Sequence, residues 1–200
     1  MTQKQGYLLA AGLFVGALMI MGFPYFQARF LSTGTLPLAE GADSVADESG
    51  TVVETAEPNT LKIASLAIET PVIYVEDKTE SVYQEALRDG VVHYPGTALP
   101  GEHGNVYIFG HSSDYVWSPG EYKTVFARLP TIELGAVIEI TDAEGKLFHY
   151  IVTETKVVGP RDLTVLDQLN YAKQILTLQT SYPLGTALQR YIVVAELKVD

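Results

Sequence analysis

A histidine, a serine and an arginine stand where their side chains could carry out nucleophilic chemistry. The run Thr177-Leu178-Gln179-Thr180-Ser181 is followed nine residues later by Arg190, and His111 lies seventy residues before Ser181. A serine hydroxyl is a weak acid that must lose its proton to an adjacent base during attack, and serine enzymes arrange this with a histidine oriented by a buried carboxylate. Asp114, three residues after His111, is the nearest candidate to orient that ring. The chain contains no cysteine, so cysteine nucleophiles, disulfides and thiolate metal sites are excluded.

Two predicted strands place the serine and the arginine near each other. The apolar run at 174–180 predicts a buried strand, and the residues at 181–185, which include Pro183 and Gly185, predict the turn that leaves it. The run at 188–197 predicts the next strand, on which Arg190 shares a face with every second residue. Arg190 can therefore reach the end of the neighbouring strand.

The rest of the C-terminal region also consists of short β-rich runs broken by Gly and Pro. Together with the two strands above, the pattern predicts at least seven strands, at residues 61–64, 71–75, 105–109, 136–141, 147–158, 174–180 and 188–197. Brief helices are predicted at 80–88 and 163–169. Many short strands with few helices indicate a mainly all-β protein built as a closed β-barrel.

The N-terminal quarter predicts a membrane anchor and a linker. Residues 7–26 are uncharged and almost entirely apolar, which is long enough to span a bilayer core and longer than the usual core of a cleaved signal peptide. We predict a transmembrane signal anchor there; a cleaved signal peptide is the alternative. Residues 27–58 carry six acidic side chains and predict an extended tether before a folded domain at 59–200.

The charge balance excludes one class of partner. The chain has 24 acidic and 13 basic residues, which gives a formal net charge of −11. Nucleic-acid binding needs basic surface to neutralise phosphates, so no nucleic-acid partner is expected.

Several short motifs, taken in order, resemble one known family. Residues 96–106 contain Pro-Gly-Glu-His-Gly-Asn and lead through Ile108-Phe109-Gly110 to His111, and the Thr-Leu-Gln-Thr-Ser run precedes Arg190. This arrangement is similar to that of the sortases, membrane-anchored transpeptidases of bacterial surfaces. The resemblance covers nearly all of residues 61–200 and implies the sortase fold, an eight-stranded closed β-barrel. It also implies a single-pass protein of the bacterial cell membrane, with residues 1–6 in the cytoplasm and the tether at 27–58 and the C-terminal domain on the extracytoplasmic side.

The resemblance assigns chemistry to individual residues. By position, His111 is the general acid/base, Arg190 holds the substrate or the oxyanion, and Ser181 occupies the nucleophile position, where the family has cysteine. Thr180, Tyr182 and Asp114 are predicted to contact the substrate. The implied partners are a sorting-signal peptide of the Leu-Pro-x-Thr-Gly type and an amine acceptor, either a cell-wall precursor or a pilin. No cofactor and no metal are expected.

The serine leaves the chemistry open. A thiol forms a useful fraction of thiolate near neutral pH, whereas a hydroxyl does not, and the shorter bond from oxygen to the β-carbon misplaces the attacking atom. Ser181 could be a substitution introduced to inactivate the enzyme. It could also belong to a protein that binds peptides without turnover, or to a slow serine transpeptidase or peptidase.

Overall fold

Eight strands form a closed barrel in the computed structural model, which describes residues 57–168 and 172–198. Around the barrel the strand order is β1-β2-β3-β4-β7-β8-β6-β5, and β5 pairs with β1 to close it. The pairs β2–β3 and β4–β7 are parallel, and the others are antiparallel. The strands are β1 (Thr60–Ile63), β2 (Ile68–Tyr74), β3 (Val91–His93), β4 (Gly104–Phe109), β5 (Val137–Thr141), β6 (Leu147–Val158), β7 (Gln174–Tyr182) and β8 (Gln189–Leu197).

The predicted fold class is confirmed, and two local predictions need correction. The strand β3 was not predicted, because a run of three buried residues between the parallel strand β2 and the antiparallel strand β4 carries no readable alternation. The strand β7 continues through Ser181 to Tyr182, where the sequence predicted a turn. The ladder with β8 extends to the pair Tyr182 and Gln189, so backbone pairing overrides the turn signal of Pro183 and Gly185.

Helical structure in the described residues is brief. The predicted helix at 80–88 is α1 (Glu80–Ala86), and the one predicted at 163–169 is a 3₁₀ turn, Thr164–Leu166. Further 3₁₀ turns lie at Ala64–Leu66 and Leu129–Thr131. Among the described residues, no helix has the length and apolar character needed to cross a membrane. The predicted anchor at 7–26 and nearly all of the predicted tether lie outside the described residues.

Aliphatic side chains at alternate strand positions fill the barrel. Val106 and Ile108 of β4 and Leu176 and Leu178 of β7 are fully buried in one cluster. Phe126, from the long connection between β4 and β5, is equally buried in this cluster. Each such side chain contributes about 1.5–3 kcal/mol through removal of apolar surface from water. The core therefore gives a rigid support to β4 and β7, whose ends carry the predicted site.

Candidate functional site

Ser181 and Arg190 face each other across the last rungs of a strand ladder. They are register partners in the antiparallel pair β7–β8, and both side chains are half-buried. Residues directly opposite in such a pair lie on the same face of the sheet. The predicted proximity of the serine and the arginine is thus built into the barrel.

His111 reaches the same place because Gly110 is fixed to β7 by two hydrogen bonds. The Gly110 N–H donates to the carbonyl of Gln179 at 3.1 Å, which extends the parallel β4–β7 ladder by one residue. The buried Thr180 hydroxyl donates to the carbonyl of Gly110 at 2.9 Å. The carbonyl of His111 accepts a hydrogen bond from the N–H of Phe126 at 2.9 Å. The backbone on both sides of the His111 side chain is therefore held by strand and core.

These three side chains line one cleft of about 470 Å³. Such a volume falls in the range of small-molecule pockets. One wall comes from α1 and its end, and another from the segment between Pro160 and Leu166. The ends of β4 and β7 and the start of β8 form the floor, so the cleft brings His111, Ser181 and Arg190 together.

His111 is available for proton transfer. Burial lowers the pKa of its imidazole, an effect that the charge of Asp114 partly opposes. The ring is therefore neutral at pH 7 and can accept a proton. Within the described part of the chain, neither the His111 ring nor the Ser181 hydroxyl makes a hydrogen bond. Ser181 and His111 both line the cleft, and the described residues provide no hydrogen bond that would prepare the hydroxyl for attack.

Arg190 keeps donors free for a ligand. Its Nη1 donates to the carbonyls of Ala187 and Gln189, both at 3.0 Å. A guanidinium has five N–H groups, and the other three have no partner among the residues that the structure describes. They can meet a carbonyl or an oxyanion in the cleft.

Asp114 binds its own loop instead of orienting His111. Its Oδ1 accepts hydrogen bonds from the backbone N–H of Tyr115 at 2.6 Å and from the Ser118 hydroxyl at 3.0 Å. Partial desolvation raises the pKa of Asp114, but these hydrogen bonds outweigh it and hold the pKa below its usual range. The described residues contain no hydrogen bond or ion pair between Asp114 and His111. A Ser-His-Asp triad is therefore not assembled here, although Asp114 lies close enough to act on His111 by its charge.

The two remaining predicted substrate contacts differ in position. Thr180 borders the cleft, but its hydroxyl is committed to Gly110. Tyr182 lies on the opposite face of β7 from Ser181, and its ring packs against Tyr191 with centroids 5.7 Å apart. Tyr182 is absent from the lining of the cleft.

Sequence reasoning missed a polar pair in the floor of the cleft. The Tyr107 hydroxyl donates to Oε1 of Gln179 at 2.5 Å, and both residues line the cleft beside Arg190. Burial raises the pKa of Tyr107, so its hydroxyl stays protonated and keeps this bond. Tyr107 lies four residues before His111, and Gln179 lies two residues before Ser181. These even spacings could have indicated a shared face.

Metal ligation has no geometric basis in the described residues. Over 57–168 and 172–198, no three histidine or carboxylate side chains lie close enough together to hold a metal ion.

Comparison with known proteins gives the family of this chain. A family model described as the sortase domain matches residues 61–198. Sortase D of Bacillus subtilis (strain 168) is 27% identical over 205 residues, covering 94% of this chain and 93% of that protein. The chain belongs to the sortase family of transpeptidases.

Solved structures agree with this assignment. A Clostridium perfringens sortase D5 transpeptidase is 28% identical with a TM-score of 0.57, over 70% of this chain and 78% of that one. Sortase C from Clostridium perfringens, solved with the C-terminal cell wall sorting motif, is 25% identical with a TM-score of 0.58, over 70% of each chain.

Proposed function

We propose that this domain binds Leu-Pro-x-Thr-Gly-type sorting-signal peptides in the cleft and joins them to an amine acceptor, at a rate limited by Ser181. The single observation that carries the proposal is the convergence of His111, Ser181 and Arg190 in one cleft at the end of the β4–β7–β8 ladder. The solved sortase C with its sorting motif supports a peptide as the ligand of this kind of site.

The chemistry follows from the side chains. Neutral His111 takes the proton of the Ser181 hydroxyl as its oxygen attacks the peptide carbonyl, and the free N–H groups of Arg190 stabilise the oxyanion. Protonated His111 then gives its proton to the departing amine, which leaves an ester on Ser181. The acceptor amine attacks that ester and regenerates the serine.

Acylation should be slow because no base among the described residues holds the Ser181 hydroxyl ready for attack. The described residues provide no hydrogen bond from Ser181 to His111, and the Asp114 carboxylate is bonded to its own loop. Apo geometry can tighten when a substrate binds. A serine site without an oriented base is nevertheless a poor acyl-transfer site compared with a thiol at the same position.

We also propose the location of the domain. The apolar stretch at 7–26 would anchor the chain in the bacterial cell membrane, and the acidic segment at 27–58 would hold the barrel outside. A sorting peptide and a cell-wall or pilin amine would both be met there.

A second candidate function is peptide binding without turnover. The missing Ser181–His111 hydrogen bond and the committed Asp114 favour it. In that case the protein would hold sorting peptides for assembly, through the same cleft.

Peptide binding to the native chain tests the proposal. Labelled Leu-Pro-x-Thr-Gly peptides and scrambled controls would be titrated by fluorescence anisotropy, and mass spectrometry would detect an acyl-enzyme. We expect specific binding that Arg190→Ala weakens, together with slow acylation that Ser181→Ala abolishes. Specific binding without any acylation would support the second function, peptide binding without turnover. Equal binding of scrambled peptides contradicts both functions.

A further inference from the structure

A second pocket of about 140 Å³ has His111 in its wall. It shares Gln84, Leu87 and His111 with the main cleft, whereas Ser181 and Arg190 line only the cleft. The two cavities therefore meet at the histidine. We call the second one the side pocket; its other lining residues are Arg88, Asp114, Ser118, Pro119 and Lys123.

The side pocket carries both signs of charge. Arg88 and Lys123 bring two cations and Asp114 one carboxylate, an excess of positive charge in a chain whose formal charge is −11. In the described residues the Arg88 side chain has no hydrogen bond and no ion pair. The Lys123 ammonium donates one hydrogen bond to the carbonyl of Val116, at 3.0 Å. Asp114 uses only Oδ1 in its bonds to Tyr115 and Ser118, so Oδ2 has no partner in the described part.

The wall of the side pocket is fixed by close backbone contact. Gly120 has a φ of +106°, and a Cβ there would lie 2.7 Å from the Cα of Arg88. The N–H of Glu121 donates to the carbonyl of Arg88 at 3.2 Å. The loop after His111 is thereby clamped to the end of α1, which holds Arg88 opposite Asp114 and Lys123.

We propose that the side pocket binds the amine acceptor, and that this acceptor bears its amine and a carboxylate on the same carbon. The carboxylate lies against Arg88 and Lys123, and the amine lies between Asp114 and His111 at the opening to the cleft. This inference rests on the proposed function, because it names the second substrate of the same site.

The transfer step balances without a further reactant. The amine nitrogen attacks the carbonyl carbon of the ester on Ser181, so that a C–N bond forms and the C–Oγ bond breaks. The amine proton passes to the His111 ring, and from the ring to Oγ of Ser181. Because burial lowers the pKa of His111, the ring is in the form that accepts this proton.

Binding to the native full chain can be tested without any turnover. Glycine has the required carboxylate and glycinamide lacks it. In ¹⁵N NMR titrations we expect glycine to shift the Arg88 Nε–H and the amides of Tyr115, Ser118 and Gly120, with glycinamide shifting them only weakly. Arg88→Gln and Lys123→Gln should each weaken glycine binding roughly fivefold, as expected for loss of a charge-assisted contact near the surface. Lys62→Gln, on β1 with its own partner Glu69, is the control that keeps native binding. Equal shifts with the two compounds, or no shift with glycine, would overturn the inference.

Partition of the acyl-enzyme provides a second test. With Ser181→Cys and a sorting peptide, the ratio of transfer product to hydrolysed product would be measured at equal concentrations of unprotonated glycine and glycinamide. We expect transfer to glycine to dominate, and Arg88→Gln to remove that preference. An equal ratio for both amines contradicts the acceptor class. Absence of any acyl-enzyme would instead count against the proposed function, while the NMR result still decides on the side pocket.

Discussion

His93 and His111 stand at the ends of adjacent strands, yet only one is available for chemistry. His93 is 4% exposed, its ring centroid lies 4.9 Å from that of Tyr74, and its Nε2 donates to the carbonyl of Ala98 at 2.9 Å. The His111 ring is half-buried, lines two cavities and makes no hydrogen bond among the described residues. Burial is the main cause of a lowered pKa in both. A lowered pKa therefore does not distinguish a histidine bonded within the fold from one whose ring is open to a ligand, whereas the hydrogen-bond partners of the ring do.

The largest expected effects separate these two histidines. In the Ser181→Cys chain, His111→Ala should lower peptide turnover by about 100-fold or more, because the proton-transfer group is lost. Its free energy of unfolding should change little. His93→Ala should instead lower the free energy of unfolding by about 2 kcal/mol, because the carbonyl of Ala98 loses its buried donor. Peptide turnover and urea denaturation of both variants would measure this contrast. Equal losses of stability would mean that His111 also supports the fold.

A loss of stability similar to that of His93→Ala is expected where the backbone before His111 meets the core. A Cβ on Gly110 would lie 2.8 Å from atoms of both Phe126 and Val91, which are fully buried. Gly110→Ala should therefore lower the free energy of unfolding by about 2 kcal/mol through overpacking. Gly159→Ala is the matched control, because nothing lies within 4 Å of its added methyl group. Thermal denaturation would compare the two, and similar melting temperatures would disprove the close fit at Gly110.

Thr180→Val should lower the free energy of unfolding by about 1 kcal/mol. The change keeps the shape of the buried side chain and removes the hydroxyl that donates to Gly110. Since that bond ties His111 to the end of β7, turnover in the Ser181→Cys chain should fall as well. Urea denaturation and peptide turnover measure the two effects. Unchanged values for both would show that the β4–β7 ladder alone positions the histidine.

The smallest expected effect concerns pH. The charge of Asp114 raises the pKa of His111, so Asp114→Asn should move the His111 titration to lower pH. Because the folded pKa of His111 is already below its unfolded value, the unfolded chain binds protons first as pH falls from about 6.5. The stability that neutral His111 contributes above about pH 6.5 is lost as the pH falls through the folded pKa of His111. Asp114→Asn lowers that folded pKa further, so the loss should continue to a lower pH. Titration by NMR of the imidazole C–H signals would measure the shift, with Glu144→Gln as the control. A shift to higher pH would contradict the charge effect.

Strand patterns made part of this site predictable. Arg190 and Ser181 lie on the same face because an antiparallel ladder pairs them, and alternation in the sequence already indicated the face of Arg190. The strand β6 was predicted at its observed bounds because the run is long and rich in β-branched and aromatic residues.

The loop after His111 could not be predicted in the same way. Asp114 was a candidate to orient His111 on sequence distance alone, but turn bonds to Tyr115 and Ser118 decide where its carboxylate lies. The exposed rings of Tyr115 and Trp117 stack on each other and stay out of the cleft lining. These local bonds and ring contacts follow no repeating period, and the loop as a whole is held by the contact of Gly120 with Arg88, which is distant in sequence.

The most direct test of the account changes the nucleophile atom. The native chain, Ser181→Cys and Ser181→Ala would be assayed with fluorogenic Leu-Pro-x-Thr-Gly-like peptides, and the acyl-enzyme followed by mass spectrometry. If the cleft is a sortase site limited by its serine, Ser181→Cys should gain turnover on the order of 100-fold over the native chain, and Ser181→Ala should show none. No gain in Ser181→Cys, with a peptide that the native chain binds, would contradict the claim that Ser181 limits the reaction.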